Sequence, residues 1–115
     1  MSIDETKILA IKAVRTARNE VRDARLNEAF SNLTRQQLEE LYTTLDKLED
    51  DLILSEVDEG LDEIERSVSK IEDINKEIDK ENKQLEYIAK VLDVAAKSLR
   101  LLIKVASTAS SSGVI

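Results

Sequence analysis

The chain of 115 residues contains no cysteine, no histidine, no proline and no tryptophan, and it has only two glycines. Without cysteine there is no disulfide framework, no thiol nucleophile and no zinc–thiolate site. Without histidine, the side chain most often used for proton transfer near neutral pH is missing, and Ser-His-Asp and Cys-His catalytic arrangements are excluded. We therefore expect a protein that is not an enzyme and that holds no cofactor and no metal.

Membrane and export signals are also missing from the sequence. The first six residues are acidic and polar, whereas a secretory signal peptide begins with a basic and then an apolar run. No stretch approaches the roughly 18 uncharged apolar residues that a membrane-spanning helix needs. These absences predict a soluble, cytoplasmic protein.

The residues that are present are typical of long helices. Charged residues make up 36% of the chain, hydrophobic residues 42% and aromatic residues 3%. Such a composition with helical periodicity is typical of coiled coils and argues against disorder. We predict an all-α fold, an elongated helical bundle or coiled coil of three or four helices. It would form a single helical domain over residues 1–106, followed by a flexible Ser-rich tail over residues 107–115.

Apolar spacing divides the chain into helices. A stripe of small residues from Ala10 to Ala24 predicts a first helix over about 4–30, with a surface that lets a partner helix approach closely. A leucine stripe predicts a second helix over 34–54. Its start is placed at Thr34 because Thr34 and Gln37 have the spacing of a capping box. We place the main turn at residues 55–60, which include the interior glycine Gly60, and we predict a third helix over 57–106.

A ladder of apolar residues at seven-residue spacing runs through this third helix. We predict that it forms an association seam, with the residues Val57, Ile64, Ile71, Ile78, Leu85, Leu92 and Leu99 and a last step at Ala106. Asn75 and Asn82 are expected to set the register of this seam. The ladder keeps its phase across residues 80–83, which favours a continuous helix. Opposite charges on either side of this point leave two alternatives, a hairpin within one chain and an antiparallel homodimer of unbroken helices.

Four arginines form a basic ridge on the first helix, at steps of three, four and three residues: Arg15, Arg18, Arg22 and Arg25. The ridge is a candidate site for an external anionic partner, but pairing with the acidic second helix is favoured. A turn near residue 32 would give the pairs Arg15–Asp50, Arg18–Asp46 and Arg25–Glu40. Nucleic acid is disfavoured as a partner because the net charge is −7.

Three functional hypotheses follow. The favoured one is a non-enzymatic helical scaffold or protein–protein interaction module that assembles through the heptad seam. Its partner would be a second copy, as an antiparallel dimer or four-helix assembly, or another helical protein. The second is a membrane-associated or cytolysin-like component that uses the basic amphipathic segment 85–106, which has no Trp or Phe anchor. The third is an acidic regulatory protein of the antitoxin or immunity type.

Overall fold

The computed structural model describes residues 2–54, 59–81 and 83–111 of the chain. These residues form four α-helices and one short 3₁₀ turn. The helices are α1 (Ile3–Ala24), α2 (Asn32–Leu54), α3 (Leu61–Glu81) and α4 (Glu86–Ser111), and the 3₁₀ turn Lys83–Leu85 precedes α4. No strand occurs in the described ranges. The prediction of an all-α helical bundle is confirmed.

The four helices form a ring in which neighbouring helices run antiparallel. α1 contacts α2 and α4, and α3 also contacts α2 and α4, whereas the described parts of helices at opposite corners do not approach closely. The bundle is elongated, with dimensions of 51 × 24 × 20 Å. Each helix contributes one apolar stripe to a continuous aliphatic core. α1 packs most extensively against α4, as expected for its stripe of small side chains.

The beginning of α1 is fixed by a capping box. Ser2 is the N-cap, and its hydroxyl accepts a hydrogen bond from the Glu5 amide at 3.1 Å. The same hydroxyl donates to the Glu5 carboxylate at 3.3 Å. Asp4 and Glu5 also place negative charge at the positive end of the helix dipole. These contacts explain why α1 starts at Ile3, the third residue of the chain.

α1 ends six residues before the predicted boundary at residue 30. The Asn27 side chain accepts a hydrogen bond from the Ala29 amide at 2.9 Å, which makes a local turn that competes with the helix. Phe30 is buried, with 8% of its surface exposed, so the chain bends to bring this ring over the core. The Ser31 hydroxyl then caps α2 by accepting from the Thr34 amide at 3.2 Å. α2 therefore begins two residues before the predicted start at Thr34.

The structure divides the helix predicted over residues 57–106 into α3 and α4, close to residues 80–83, where the charges also fit a hairpin. α3 ends at Glu81, and after the 3₁₀ turn α4 runs back along it. Folding back buries several leucines of α4 within the same chain, each worth about 2 kcal/mol. Compared with a straight helix in an isolated chain, that gain exceeds the loss of a few helical hydrogen bonds, each worth about 1 kcal/mol. The arrangement observed is the intramolecular hairpin, the one of the two alternatives in which the helix is broken.

Two further boundaries differ from the prediction. α3 begins at Leu61, directly after the turn at Glu59 and Gly60, and the first ladder residue, Val57, lies outside the described residues. α4 continues to Ser111, so residues 107–111 are helical where a flexible tail was predicted. Serine, threonine and alanine are all compatible with a helix, and no proline occurs to end it.

Candidate functional site

The predicted association seam lies inside the bundle. The six ladder residues of the seam that the structure describes are each at most 4% exposed: Ile64, Ile71, Ile78, Leu85, Leu92 and Leu99. α3 carries the first three and α4 carries two of the others, while Leu85 ends the 3₁₀ turn between them. The partner surfaces of this seam are helices of the same chain. In the closed bundle, these six ladder residues offer no surface to another molecule.

Asn75 connects the two helices that carry the ladder. Its Nδ2 donates to the main-chain oxygen of Ala89 on α4 at 3.3 Å. Its Oδ1 is buried and has no hydrogen-bond partner among the described residues. One polar contact therefore links α3 to α4 at this level, at the cost of one unsatisfied acceptor, and the register role expected of Asn75 stays a prediction. Asn82, the other predicted register residue, lies outside the described residues.

The basic ridge of α1 faces α2. A buried carboxylate of α2 lies between two of the arginines of the ridge. Glu49 has only 4% of its surface exposed. Arg15 Nε donates to Glu49 Oε1 at 2.8 Å, and Arg18 Nη1 donates to the second oxygen, Glu49 Oε2. Arg18 Nη1 also contacts Asp46 Oδ1 at 3.4 Å. Both oxygens of the buried carboxylate are thus satisfied by charged donors, which compensates for its removal from water.

The other two arginines of the ridge lie towards the end of α1. Arg25 Nη1 donates to Glu39 Oε2 at 3.0 Å, and its guanidinium carbon lies 4.3 Å from the centroid of the Tyr42 ring. This geometry combines an ion pair with a cation–π contact. Arg22 instead pairs with the adjacent Asp23, at 3.3 Å. Three of the four arginines therefore bind α2, and the fourth points to a local partner.

Glu49 is the residue of this cluster that sequence reasoning missed. Arg18–Asp46 forms as predicted, but Arg15 and Arg25 pair with Glu49 and Glu39, each one residue before the predicted partner. The helical period would have identified them. Residues 39, 42, 46 and 49 are spaced by three and four, so they share one line on α2 beside its leucine stripe, whereas Glu40 lies on the far side of that stripe and Asp50 points away from it.

α2 and α3 pack least closely of the neighbouring helices, and a polar groove of about 720 Å³ lies between them. Its residues carry charges of both signs: Glu40, Asp62, Glu65, Arg66, Ser69, Lys70, Asp73 and Ile74. Lys47 bridges it further along by pairing with Glu63 at 3.3 Å. Within the described parts of the chain, no three acidic side chains converge as metal ligands would. Because the signs are mixed, the groove does not select an ion of one charge.

The solvent-facing side of α4 carries a second line of residues, at steps of three and four. We call it the outer line of α4, and it consists of Tyr87, Lys90, Val94, Lys97, Leu101 and Lys104. Its apolar members are well exposed, at 50% for Tyr87, 57% for Val94 and 41% for Leu101. Lys97 pairs with Asp93 one turn earlier at 2.9 Å. Lys90 and Lys104 form no ion pair with any described residue.

A shallow apolar depression of about 330 Å³ lies beside the outer line, between α4 and α1. Val91 and Val94 form its α4 side, and Lys12, Ala13 and Thr16 form its α1 side. The small side chains of α1 keep the two helices close and leave room above Ala13. Leu9, one turn before Ala13, is 46% exposed and continues this apolar edge. A single apolar side chain of a partner would fit such a depression.

Comparisons with protein-family models, with curated proteins and with solved structures gave no match. The described helices include none with the length and apolar character needed to cross a bilayer.

Proposed function

We propose that this protein is a non-enzymatic interaction module that binds a helical protein partner through the outer line of α4. The observation that carries this proposal is the alternation of exposed apolar residues and lysines beside an apolar depression. A partner helix with an apolar stripe and acidic flanks would complement it, because its apolar residues would cover Val94 and Leu101 while its carboxylates met Lys90 and Lys104. The cytoplasmic location expected from the sequence belongs to the same proposal.

The bundle itself uses this kind of recognition internally. Basic residues of α1 meet Glu39, Asp46 and Glu49 of α2, and Arg100 of α4 meets Glu72 of α3. In each contact, a basic helix packs on an acidic one across an apolar stripe. The outer line has the same pattern of basic and apolar residues on a face that no described helix covers. The same pairing of a basic helix with an acidic one therefore favours an acidic partner helix.

A second copy and a membrane fit the outer line less well. Two copies that met symmetrically through α4 would place Lys97 of one copy opposite Lys97 of the other. The outer line contains no acidic residue that would offset this repulsion. A membrane would need deeper apolar anchors, and α4 contains neither Trp nor Phe. Both arrangements are outcomes of the experiment below.

The proposal is tested by site-specific photo-crosslinking in the cells that produce the protein. A photoreactive amino acid is placed at Val94, and the matched control places it at Thr43 on α2, which is also exposed. We expect one discrete protein adduct from position 94 and none from position 43. The crosslinked peptide of the partner should contain Asp or Glu beside apolar residues at helical spacing.

Charge reversal gives the second arm of the experiment. The triple variant Lys90→Glu, Lys97→Glu, Lys104→Glu should lower the adduct yield roughly tenfold or more. The control, Lys70→Glu, Lys76→Glu, Lys80→Glu on α3, makes the same change in net charge and should retain the adduct. A lipid adduct, or co-flotation with phosphatidylcholine–phosphatidylserine vesicles, would replace the proposal with membrane binding. An adduct at Thr43 alone, an adduct only to a second copy, or none at either position would also overturn it.

A further inference from the structure

The sequence between α3 and α4 contains no strong helix breaker, and its one weak stop signal is Asn82. The segment Lys80-Glu-Asn-Lys-Gln-Leu-Glu86 has no glycine and no proline, and most of its residues are good helix formers. The turn between α1 and α2 is different, because the side chains of Asn27 and Ser31 bind nearby amides there. Local sequence therefore specifies the first turn, and it permits a straight helix through the second.

The apolar ladder is compatible with both shapes of this segment. Ile78 lies in α3 and Leu85, seven residues later, ends the 3₁₀ turn, and they are 1% and 0% exposed. If α3 and α4 joined into one straight helix, the ladder would remain a single stripe along it. α4 would then leave its own bundle, and Leu92 and Leu99 would need another surface to cover them. The vacated place in the bundle would need a helix with the sequence of α4.

A second copy of the chain meets both needs at once. We infer that two copies exchange α4, so that each α4 packs on α1 and α3 of the other copy and residues 61–111 form one continuous helix. The contacts that hold α4 in the single chain recur between the chains, including Asn75 to Ala89 and Arg100 to Glu72. The turn between α3 and α4 is the part of the hairpin that differs between the single chain and the exchanged dimer. Exchange of an identical element is a low-cost route to a dimer for this reason.

This inference goes beyond the proposed function and does not depend on it. The exchange uses the interior ladder and the turn at Lys83–Leu85, whereas the proposed partner binds the outer line of α4. The outer line stays on the solvent side in both the single bundle and the exchanged dimer. Variants at Lys83 therefore test the exchange without changing the proposed partner surface.

A pair of substitutions at Lys83 provides the first test, because both remove the same charge. Lys83 begins the 3₁₀ turn, where proline is tolerated, but proline inside a straight helix is strongly unfavourable. We expect Lys83→Pro to weaken dimerisation by more than about a hundredfold. Lys83→Ala should leave dimerisation unchanged or strengthen it up to about threefold. The mass is measured by size-exclusion chromatography with light scattering after refolding at high protein concentration.

An intrachain distance distinguishes exchange from ordinary dimerisation, and it does not require the proline variant to fold. The chain has no cysteine, so spin labels at Ser69→Cys and Lys97→Cys report only the intended pair. Doubly labelled chains are diluted into unlabelled wild-type protein before refolding. We expect a distance under about 20 Å in the monomer, where α3 and α4 are adjacent. In the dimer we expect about 42 Å, the span of 28 residues in a straight helix.

Each remaining outcome overturns the inference. A dimer whose intrachain distance stays short would be an ordinary dimer of closed bundles. Wild-type and Lys83→Ala proteins that remain monomeric after refolding at high concentration would show that the turn is specified by more than its sequence suggests. Equal dimerisation of a folded Lys83→Pro variant and its alanine counterpart would show that the segment does not straighten. None of these results affects the crosslinking test at Val94.

Discussion

The two hairpins of the bundle are similar in size and differ in how they are held. The α1–α2 hairpin has a turn shaped by Asn27 and Ser31, and its helices are joined by a buried carboxylate between two arginines. The α3–α4 hairpin has a short turn without glycine or proline, and the polar connections between its described residues are one amide contact and one exposed ion pair. Apolar burial is ample in both, so the difference lies in specificity. Polar contacts determine the shape of the first hairpin far more than that of the second.

The largest expected effect on this contrast comes from Glu49 in the first hairpin. Glu49→Ala removes a buried acceptor and leaves Arg18, whose side chain is only 21% exposed, with Asp46 and the side-chain oxygen of Asn19 as its remaining partners. We expect a loss of about 2 kcal/mol in the free energy of unfolding. Chemical denaturation measures it, and the control is the exposed neighbour Asp50→Ala, which should change stability by less than about 0.5 kcal/mol. Equal losses from the two variants would show that the buried ion pairs do not distinguish this hairpin.

A smaller effect is expected from the cap that begins α2. Ser31→Ala removes the hydroxyl that accepts from the Thr34 amide, and the expected loss of stability is about 1 kcal/mol. Ser69→Ala is the control, because Ser69 is exposed within α3 and alanine is the better helix former there. Thermal unfolding monitored by circular dichroism gives both values. If the two variants were equally stable, the turn between α1 and α2 would not owe its shape to this cap.

The smallest effect is expected from the ion pair of the second hairpin. The side chains of Arg100 and Glu72 are 57% and 36% exposed, so solvent and salt screen their attraction. Arg100→Ala should cost less than about 0.5 kcal/mol, with little change between low and high salt. Urea denaturation at the two salt concentrations measures it. A loss comparable to that of Glu49→Ala would mean that ion pairs hold both hairpins equally.

The helical class and the core of this bundle could be predicted from the sequence because residues buried at helical spacing appear in it as a periodic apolar pattern. The small-residue stripe from Ala10 to Ala24 is buried as predicted, and so are the described ladder residues. The existence of the α3–α4 turn could not be decided in the same way. A hairpin and an antiparallel pair of straight helices bury the same stripe, and opposite charges on either side of the turn fit both.

The functional surfaces were harder to predict for a different physical reason. The ladder carried the strongest pattern in the sequence, and the bundle uses it for its own core. The outer line of α4 also has a helical period, but lysines interrupt it, so it resembles an ordinary solvated face. Burial had to be known before Val94 and Leu101 could be separated from the core residues beside them. Recognition of Glu49 needed only the period of α2 applied to the charged residues as well as the leucines.

The ring of antiparallel helices has a consequence for how freely the chain could be rewired. α1 and α4 are in extensive contact and run in opposite directions, so the first turn of α1 lies beside the last turns of α4. A short linker could join these two points, and new ends could be opened in the turn at residues 25–31. The helix order would then become α2, α3, α4, α1, with every helix keeping both of its neighbours. Packing in this bundle depends on which helices are adjacent, and the order of the helices along the chain could be changed without altering it.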